Sequence, residues 1–155
     1  MLFRSWSLNF VNTSGLTLSG DHLTYVGDKS NRMDVYRVAP TGLSYAKAAY
    51  SFDAGADTGN FPNVTRVDVT DTSSSATSYF LHVIGTGSTA TDNPISAVSA
   101  SPASGQTGVQ ITLTDGRVAI VRFNNTSSGG TIQINDASGN TVVTQSLAKI
   151  GRAHV

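Results

Sequence analysis

Hydrophobic and polar residues alternate along this chain in short runs that are bounded by Gly, Asn, Asp or Pro. Alternation with a period of two is typical of strands that bury one face, and frequent turn residues are typical of sandwiches and barrels. The pattern predicts about eleven strands, which favours two packed sheets over one flat sheet. The predicted strands are Trp6–Val11, His22–Val26, Arg32–Val38, Leu43–Tyr50, Val64–Thr70, Tyr79–Ile84, Ile95–Ala100, Val109–Thr114, Arg117–Phe123, Thr131–Asn135 and Thr141–Gln145.

The connections between these runs carry turn signals. Asp115-Gly116 lies between two strand-like runs and predicts a tight hairpin with a type I′ turn, because Asp and Gly both tolerate positive φ angles. A longer loop from Asp136 to Asn140 is predicted to join the last two strands. Three further stretches are predicted to be surface loops: Asp53–Asn63, Asp71–Ser78 and Gly85–Pro94.

Composition strengthens the all-β prediction. The ten acidic residues are all Asp, and the chain has 15 Gly. Asp and Gly favour turns and caps over helix interiors, so helices are disfavoured. We therefore expect residues 1–149 to form one domain, a two-layer antiparallel β-sandwich of ten or eleven short strands.

The C-terminal sequence Ile150-Gly-Arg-Ala-His-Val155 resembles the translation of a sequencing-library adapter, a known scar at the ends of chains assembled from environmental DNA. We expect residues 150–155 to be a non-native tail and the natural protein to continue beyond Lys149. By the same reasoning, Met1 is interpreted as an internal methionine of a longer protein.

Charge and cysteine content exclude several classes. Ten basic residues balance ten acidic ones without a basic run, which argues against a nucleic-acid partner. No apolar stretch reaches the roughly 20 residues that cross a bilayer, so no membrane partner is predicted. The chain has no Cys, and its three His include His154 in the suspect tail. A zinc site needs at least three ligands, so no zinc site is predicted and no cofactor is assigned, while a calcium site built from Asp and carbonyl oxygens stays open.

Several side chains are candidates for binding. Trp6, Tyr25, Tyr36 and Tyr45 could form a platform that stacks on sugar rings, since an aromatic face packs on the apolar face of a pyranose. The competing interpretation is that these aromatic side chains cover the edges of the sandwich core. No complete catalytic constellation is visible, so no catalytic residue is predicted.

The remaining candidates have mainly structural interpretations. Arg66 and Asp68 alternate with Val67 and Val69, and this spacing allows a side-by-side ion pair on a solvated strand face. His82 lies between apolar neighbours and is expected to be a core residue. His22, at the start of a strand after a turn, is expected to face solvent.

Several segments, taken in order, carry a family resemblance. The first is a strand with a Trp, Ser5-Trp6-Ser7-Leu8, and the second is Asn31-Arg-Met-Asp-Val-Tyr-Arg-Val-Ala-Pro40. The third and fourth are Arg66-Val-Asp-Val-Thr-Asp71 and Phe80-Leu-His-Val-Ile84, and the last are Gly108-Val109 and Val118–Phe123. This ordered set, which spans most of Trp6 to Ile134, resembles the C-terminal β-domain of heparinase II/III-like polysaccharide lyases and related alginate lyases.

The chain also departs from the family pattern. Asp68 stands in place of the usual Glu, Thr70-Asp71 in place of Ser-Pro, and Val64-Thr65 where the family often has Trp before Arg. These departures leave the sandwich in place and weaken the assignment to a subfamily.

The resemblance implies a non-catalytic domain of an enzyme that cleaves uronic-acid polysaccharides by β-elimination. The family's catalytic Tyr and His lie chiefly in an α/α-toroid and a central β-domain, so these are the expected partners, together with an acidic polysaccharide. The composition, rich in Ser, Thr, Asn and Gly and poor in charge, is common in exported bacterial β-domains, so we expect a protein of the periplasm or of the outside of the cell. Two alternatives stay open: a self-sufficient carbohydrate-binding module, and an Ig-like surface domain without a sugar ligand.

Overall fold

A computed structural model of the chain describes residues 5–11, 15–41, 43–50, 64–71 and 78–147. These residues form twelve strands in antiparallel sheets, which confirms the all-β sandwich, with one strand more than the sequence predicted. The strands are β1 (Ser5–Val11), β2 (Leu16–Ser19), β3 (His22–Val26), β4 (Arg32–Ala39), β5 (Leu43–Tyr50), β6 (Val64–Asp71), β7 (Leu81–Gly87), β8 (Ile95–Ala100), β9 (Gln106–Leu113), β10 (Val118–Asn124), β11 (Gly130–Asn135) and β12 (Thr141–Leu147).

The chain divides into two compact units, Met1–Asp92 and Asn93–Val155. The single domain over residues 1–149 stays a prediction, and the expected tail at 150–155 lies outside the described residues. So do the predicted loop Asp53–Asn63 and most of the predicted loop Asp71–Ser78.

The first unit contains two sheets. One has the strand order β1-β6-β5, and the other has the order β2-β3-β4-β7. The chain crosses from one sheet to the other after β1, after β4 and after β6. The two sheets are thus interleaved in sequence, and neither is built from one continuous segment.

Apolar side chains from both sheets form the core of the first unit. Leu23 and Val35 of the four-stranded sheet and Val67 of the three-stranded sheet have no exposed surface. Phe10 and Leu16 complete this buried cluster. Burial of such a side chain contributes about 1.5–3 kcal/mol, so strand alternation that aims these residues inward is the main stabilising pattern.

Strand β7 differs from its prediction. The sequence placed a strand at Tyr79–Ile84 and a loop from Gly85, but the strand continues through Gly87. Gly87 is needed there because a Cβ atom would lie 1.7 Å from the carbonyl oxygen of Asp92. The glycine therefore marks a close approach of the following loop and not the end of the strand.

The second unit contains one five-stranded sheet with the order β12-β11-β10-β9-β8. Neighbours in sequence are neighbours in the sheet, so every connection is a hairpin or a short loop. Val109 and Ile95 are buried in this unit, whereas Phe123 is 42% exposed.

Three hairpins in the structure share one loop geometry. The loops 28–30, 114–116 and 137–139 each contain three residues, and the third residue has a positive φ of 61°, 86° and 87° at Ser30, Gly116 and Gly139. The predicted type I′ turn at Asp115-Gly116 is wrong, because Asp115 does not have a positive φ. The hairpin itself is confirmed, with a loop one residue longer than predicted.

Ser30 is the one non-glycine residue with a positive φ in the described part of the chain, and we predict that Ser30→Gly stabilises the first unit. The substitution relieves the strain of the left-handed conformation, which is about 1–2 kcal/mol. This gain exceeds the free-energy cost of fixing the more flexible glycine backbone on folding, which is about 0.5–1 kcal/mol. Urea unfolding should show a gain of about 0.5 kcal/mol or more. The control Ser30→Ala keeps the Cβ atom and should show no gain; equal gains from both substitutions would contradict the strain argument.

Candidate functional site

The predicted aromatic residues lie in different settings. Tyr25 packs against the core of the first unit, with its ring centroid 5.1 Å from that of Phe10. Tyr36 stacks on the His22 ring at 4.2 Å between centroids. Tyr45 packs on the core as well, while Trp6 lies on β1 opposite Val69 and its side chain is outside the described residues. Tyr25, Tyr36 and Tyr45 therefore do not share one face.

Tyr45 has a charged neighbour. The guanidinium carbon of Arg37 lies 5.4 Å from the centroid of the Tyr45 ring, within the range of a cation–π contact. Burial raises the pKa of the Tyr45 hydroxyl, and it outweighs the opposing effect of the Arg37 charge. The phenol is consequently neutral at physiological pH.

Arg66 and Asp68 form the side-by-side ion pair that their spacing allows. The Nε atom of Arg66 lies 2.8 Å from Oδ1 of Asp68, and the two side chains are 40% and 29% exposed. Val67 and Val69 on the opposite face are fully buried. A pair with this much solvent contact contributes about 0–1 kcal/mol, so it identifies a solvated strand face and not a reactive site.

His82 lies on β7 and is paired in register with Arg37 on β4. Burial, assisted by the positive charge of Arg37, lowers the pKa of His82 to about 4. The imidazole is therefore neutral in the folded protein at neutral pH, and the structural role of His82 stays a prediction.

A polar cluster lies on the face of the four-stranded sheet that points away from the core. We call it the Asp34 cluster, and it consists of His22 and Thr24 on β3 with Arg32, Asp34 and Tyr36 on β4. Alternation puts these residues on one face, since Leu23 and Val35 between them are buried in the core. The Asp34 side chain is 1% exposed, which makes it the most buried charged group of the cluster.

Both carboxylate oxygens of Asp34 accept hydrogen bonds. Arg32 donates from Nε to Oδ2 at 2.6 Å and from Nη2 to Oδ1 at 2.8 Å. The Thr24 hydroxyl donates to Oδ1 at 2.9 Å, and His22 Nε2 lies 2.7 Å from the same oxygen. Burial raises the pKa of the Asp34 carboxyl, but the hydrogen bonds from Arg32, Thr24 and His22 outweigh it and hold the pKa below its usual value.

The solvent-facing position predicted for His22 is confirmed only in part, because its side chain lies on the face away from the core but is largely covered by its neighbours. Its side chain is 28% exposed, lies against Asp34 and stacks on Tyr36. Because the Asp34 carboxylate is an acceptor, Nε2 of a neutral His22 carries the proton of this bond. The sequence did contain a signal for the cluster, since Arg32 and Asp34 have the same spacing as Arg66 and Asp68.

An open cleft of about 520 Å³ lies at one end of the first unit, beside the Asp34 cluster. Strands β3 and β7 end there, and β4 begins there. We call this cavity the end cleft, and it is lined by Leu8, Asn9, Phe10, Tyr25, Asn31, Arg32, Met33, Thr86 and Gly87. Its size is in the range of small-molecule sites, which usually combine apolar walls with a few polar groups.

Arg32 joins the end cleft to the Asp34 cluster. Besides its two bonds to Asp34, it donates from Nη1 to the carbonyl oxygen of Ala90 at 3.2 Å. The guanidinium is thus held on three sides, and its side chain is 21% exposed. This contact fixes one wall of the cleft and the loop that follows β7.

The structure shows no group of three or more His, Asp or Glu residues that could hold a metal ion within the parts of the chain it describes. In the same parts, no helix is long and apolar enough to cross a membrane. Comparisons of the chain with protein-family models, with curated proteins and with solved structures gave no match.

We predict that Asp34→Asn destabilises the first unit by about 3 kcal/mol, because the partly buried charge of Arg32 loses its carboxylate partner. The matched change Asp68→Asn removes the same group from a solvated pair and should cost less than about 1 kcal/mol. Urea unfolding of both variants measures the difference. Equal losses would show that the burial of Asp34 does not determine how much it contributes to the free energy of unfolding.

We predict that the free energy of unfolding falls between pH 6.5 and pH 4 in part through His82. The pKa of His82 is lowered to about 4 in the folded state from its ordinary value of 6.5, so the unfolded chain binds the proton first as the pH falls. His82→Gln, which stays neutral, should reduce this loss. Urea unfolding at several pH values measures the slope; identical slopes in the two proteins would contradict the prediction.

Proposed function

We propose that this chain is a non-catalytic β-sandwich domain of a polysaccharide-degrading enzyme that resembles heparinase II/III-like lyases, and that it contacts the glycan through the end cleft. The observation that carries the glycan contact is the cleft itself, a preformed cavity with apolar walls and exposed amides. The lyase part of the proposal rests on the ordered motifs of the sequence.

The lining of the end cleft matches the chemistry of a sugar ring. Phe10, Tyr25 and Met33 offer apolar surface, and a pyranose has an apolar face that packs on such surface. Asn9 and Asn31 are exposed, and each amide can both donate to and accept from sugar hydroxyls. Apolar contact with a few orienting polar groups is the usual composition of a ligand site.

The cleft is also held by rigid elements. Tyr25 and Met33 are paired in register on β3 and β4, and both pack on the buried core cluster. Arg32 is fixed by Asp34 and by the Ala90 carbonyl. A site on strands that are already packed loses little conformational entropy on binding.

In this proposal the chain is one domain of a longer enzyme. The catalytic domains are other parts of that enzyme, and the enzyme works in the periplasm or outside the cell. The self-sufficient carbohydrate-binding module stays the alternative, and it uses the same cleft. The Ig-like surface domain without a sugar ligand predicts no glycan binding at all. Binding measurements therefore separate the Ig-like surface domain from the lyase domain and the carbohydrate-binding module.

We predict that the full chain binds glycans in a panel of heparin, alginate and neutral polysaccharides, and that Asn31→Ala and Tyr25→Leu weaken binding by about tenfold, or about 1.4 kcal/mol. Tyr25→Leu keeps apolar packing but removes the aromatic face. Affinity electrophoresis or calorimetry measures the effect. The control Tyr79→Ala removes a 42% exposed ring outside the cleft lining and should leave binding unchanged.

Two results would contradict the proposal. A chain that binds no member of the panel, or that binds without any loss in Asn31→Ala and Tyr25→Leu, would remove the glycan contact from the cleft. Release of unsaturated uronates from heparin or alginate, followed by their absorbance, would show that the chain is catalytic by itself.

A further inference from the structure

The charge of the end cleft bears on the class of sugar that it accepts, and this step rests on the proposed function. Arg32 is the one Lys, Arg, Asp or His residue in the lining of the cleft as the described residues form it. The remaining polar groups of the lining are neutral: the amides of Asn9 and Asn31, the hydroxyls of Thr86 and Tyr25, and backbone groups. An acidic ligand would therefore depend on Arg32 for its counter-charge.

Arg32 is already neutralised by Asp34. Its Nε and Nη2 atoms bond both carboxylate oxygens, in the two-pronged geometry that matches guanidinium to carboxylate. Its Nη1 atom bonds the Ala90 carbonyl. The carboxylate partner is 1% exposed and cannot move aside into solvent without leaving the cluster.

A uronate in this cleft would gain little from Arg32 and would lose hydration. Its carboxylate would replace water contacts with apolar walls and with a guanidinium whose charge is compensated. The Asp34 carboxylate on the far side of that guanidinium would repel it. Sugar hydroxyls and acetamido groups meet no such obstacle, because exposed amides and hydroxyls bind them without a change in charge.

The same pairing occurs elsewhere in the described chain. Arg66 is paired with Asp68, and Arg117 with Asp115, each two residues away. Positive charge is thus also compensated at short range on β6 and at the turn before β10. A surface that tracks an acidic polymer needs the opposite, several cations without partners.

We infer that the end cleft binds an uncharged pyranose residue, with hydroxyl or acetamido substituents, and not a uronate. In a polysaccharide with alternating sugars, the cleft then selects the neutral unit. In a homopolymer of uronates, the cleft has no unit to bind.

The test is a calorimetric titration of the full chain with two sets of hexasaccharides. The neutral set is made of glucose, mannose or N-acetylglucosamine, and the acidic set comes from alginate and heparin. We expect at least one neutral hexasaccharide to bind about tenfold more tightly than any acidic one. Its affinity should change less than about twofold between about 50 mM and about 500 mM NaCl, since no charge pair forms.

The outcomes separate this inference from the proposed function. An acidic hexasaccharide that binds more tightly, loses affinity in salt and depends on Asn31 would overturn the inference and keep glycan binding by the cleft. No binding of any hexasaccharide would overturn both. Tighter binding of a neutral hexasaccharide that is weakened by Asn31→Ala supports both.

A gain-of-function variant tests the charge argument directly. Thr86 is exposed and lines the cleft, so Thr86→Arg adds a guanidinium without altering Arg32 or Asp34. We expect this variant to gain salt-sensitive affinity for alginate hexasaccharides by about tenfold, while the size-matched control Thr86→Gln gains none. An unchanged affinity in Thr86→Arg would contradict the claim that uronates are excluded because the cleft lacks an unpaired positive charge.

Discussion

The buried carboxylate of Asp34 is the constraint on which the organisation of the four-stranded sheet depends. A carboxylate at 1% exposure is costly to bury unless its lone pairs are satisfied, and here donors from two neighbouring strands satisfy them. The same interaction fixes the register of β3 against β4, holds the loop after β7 through Arg32, and removes free charge from the end cleft. One ion pair thus sets local structure and the electrostatic character of the candidate site.

The apolar core and the polar network of the four-stranded sheet contribute different things, namely stability and a specific strand register. Leu23 and Val35 stabilise the sheet by burial on the inner face. On the outer face, a satisfied ion pair adds less net free energy, because desolvation offsets much of its attraction. Its contribution is specificity: a register shift of one residue would carry Asp34 into the core and Val35 out of it, so only the observed register satisfies both faces.

Much of the fold could be predicted from the sequence, because strand alternation depends on neighbouring residues. Leu43–Tyr50 was predicted as a strand in spite of its alanines and is one. Three features were not predicted for physical reasons. Gly87 is required by the path of the loop that returns to it at Asp92, which strand alternation does not indicate. Strand β2 is only four residues long, and the turn at Asp115 depends on one extra loop residue. The spacing of Arg32 and Asp34 is visible in the sequence, but the contacts of Asp34 with His22 and Thr24 were missed because they depend on the register of β3 against β4.

The end cleft, like the Asp34 cluster, depends on how distant strands come together and was not predicted from the sequence. Its walls come from residues far apart in sequence, such as Phe10, Tyr25 and Met33, which are brought together by strands of two sheets. Its rim is completed by Asn31, which directly follows a strained three-residue loop ending at Ser30. Loops of this kind vary more readily than strands, because they carry few buried contacts. The rigid apolar walls therefore provide the packing surface for a ring, while changes at the rim and at Thr86 would alter which substituents the cleft accepts without disturbing the core.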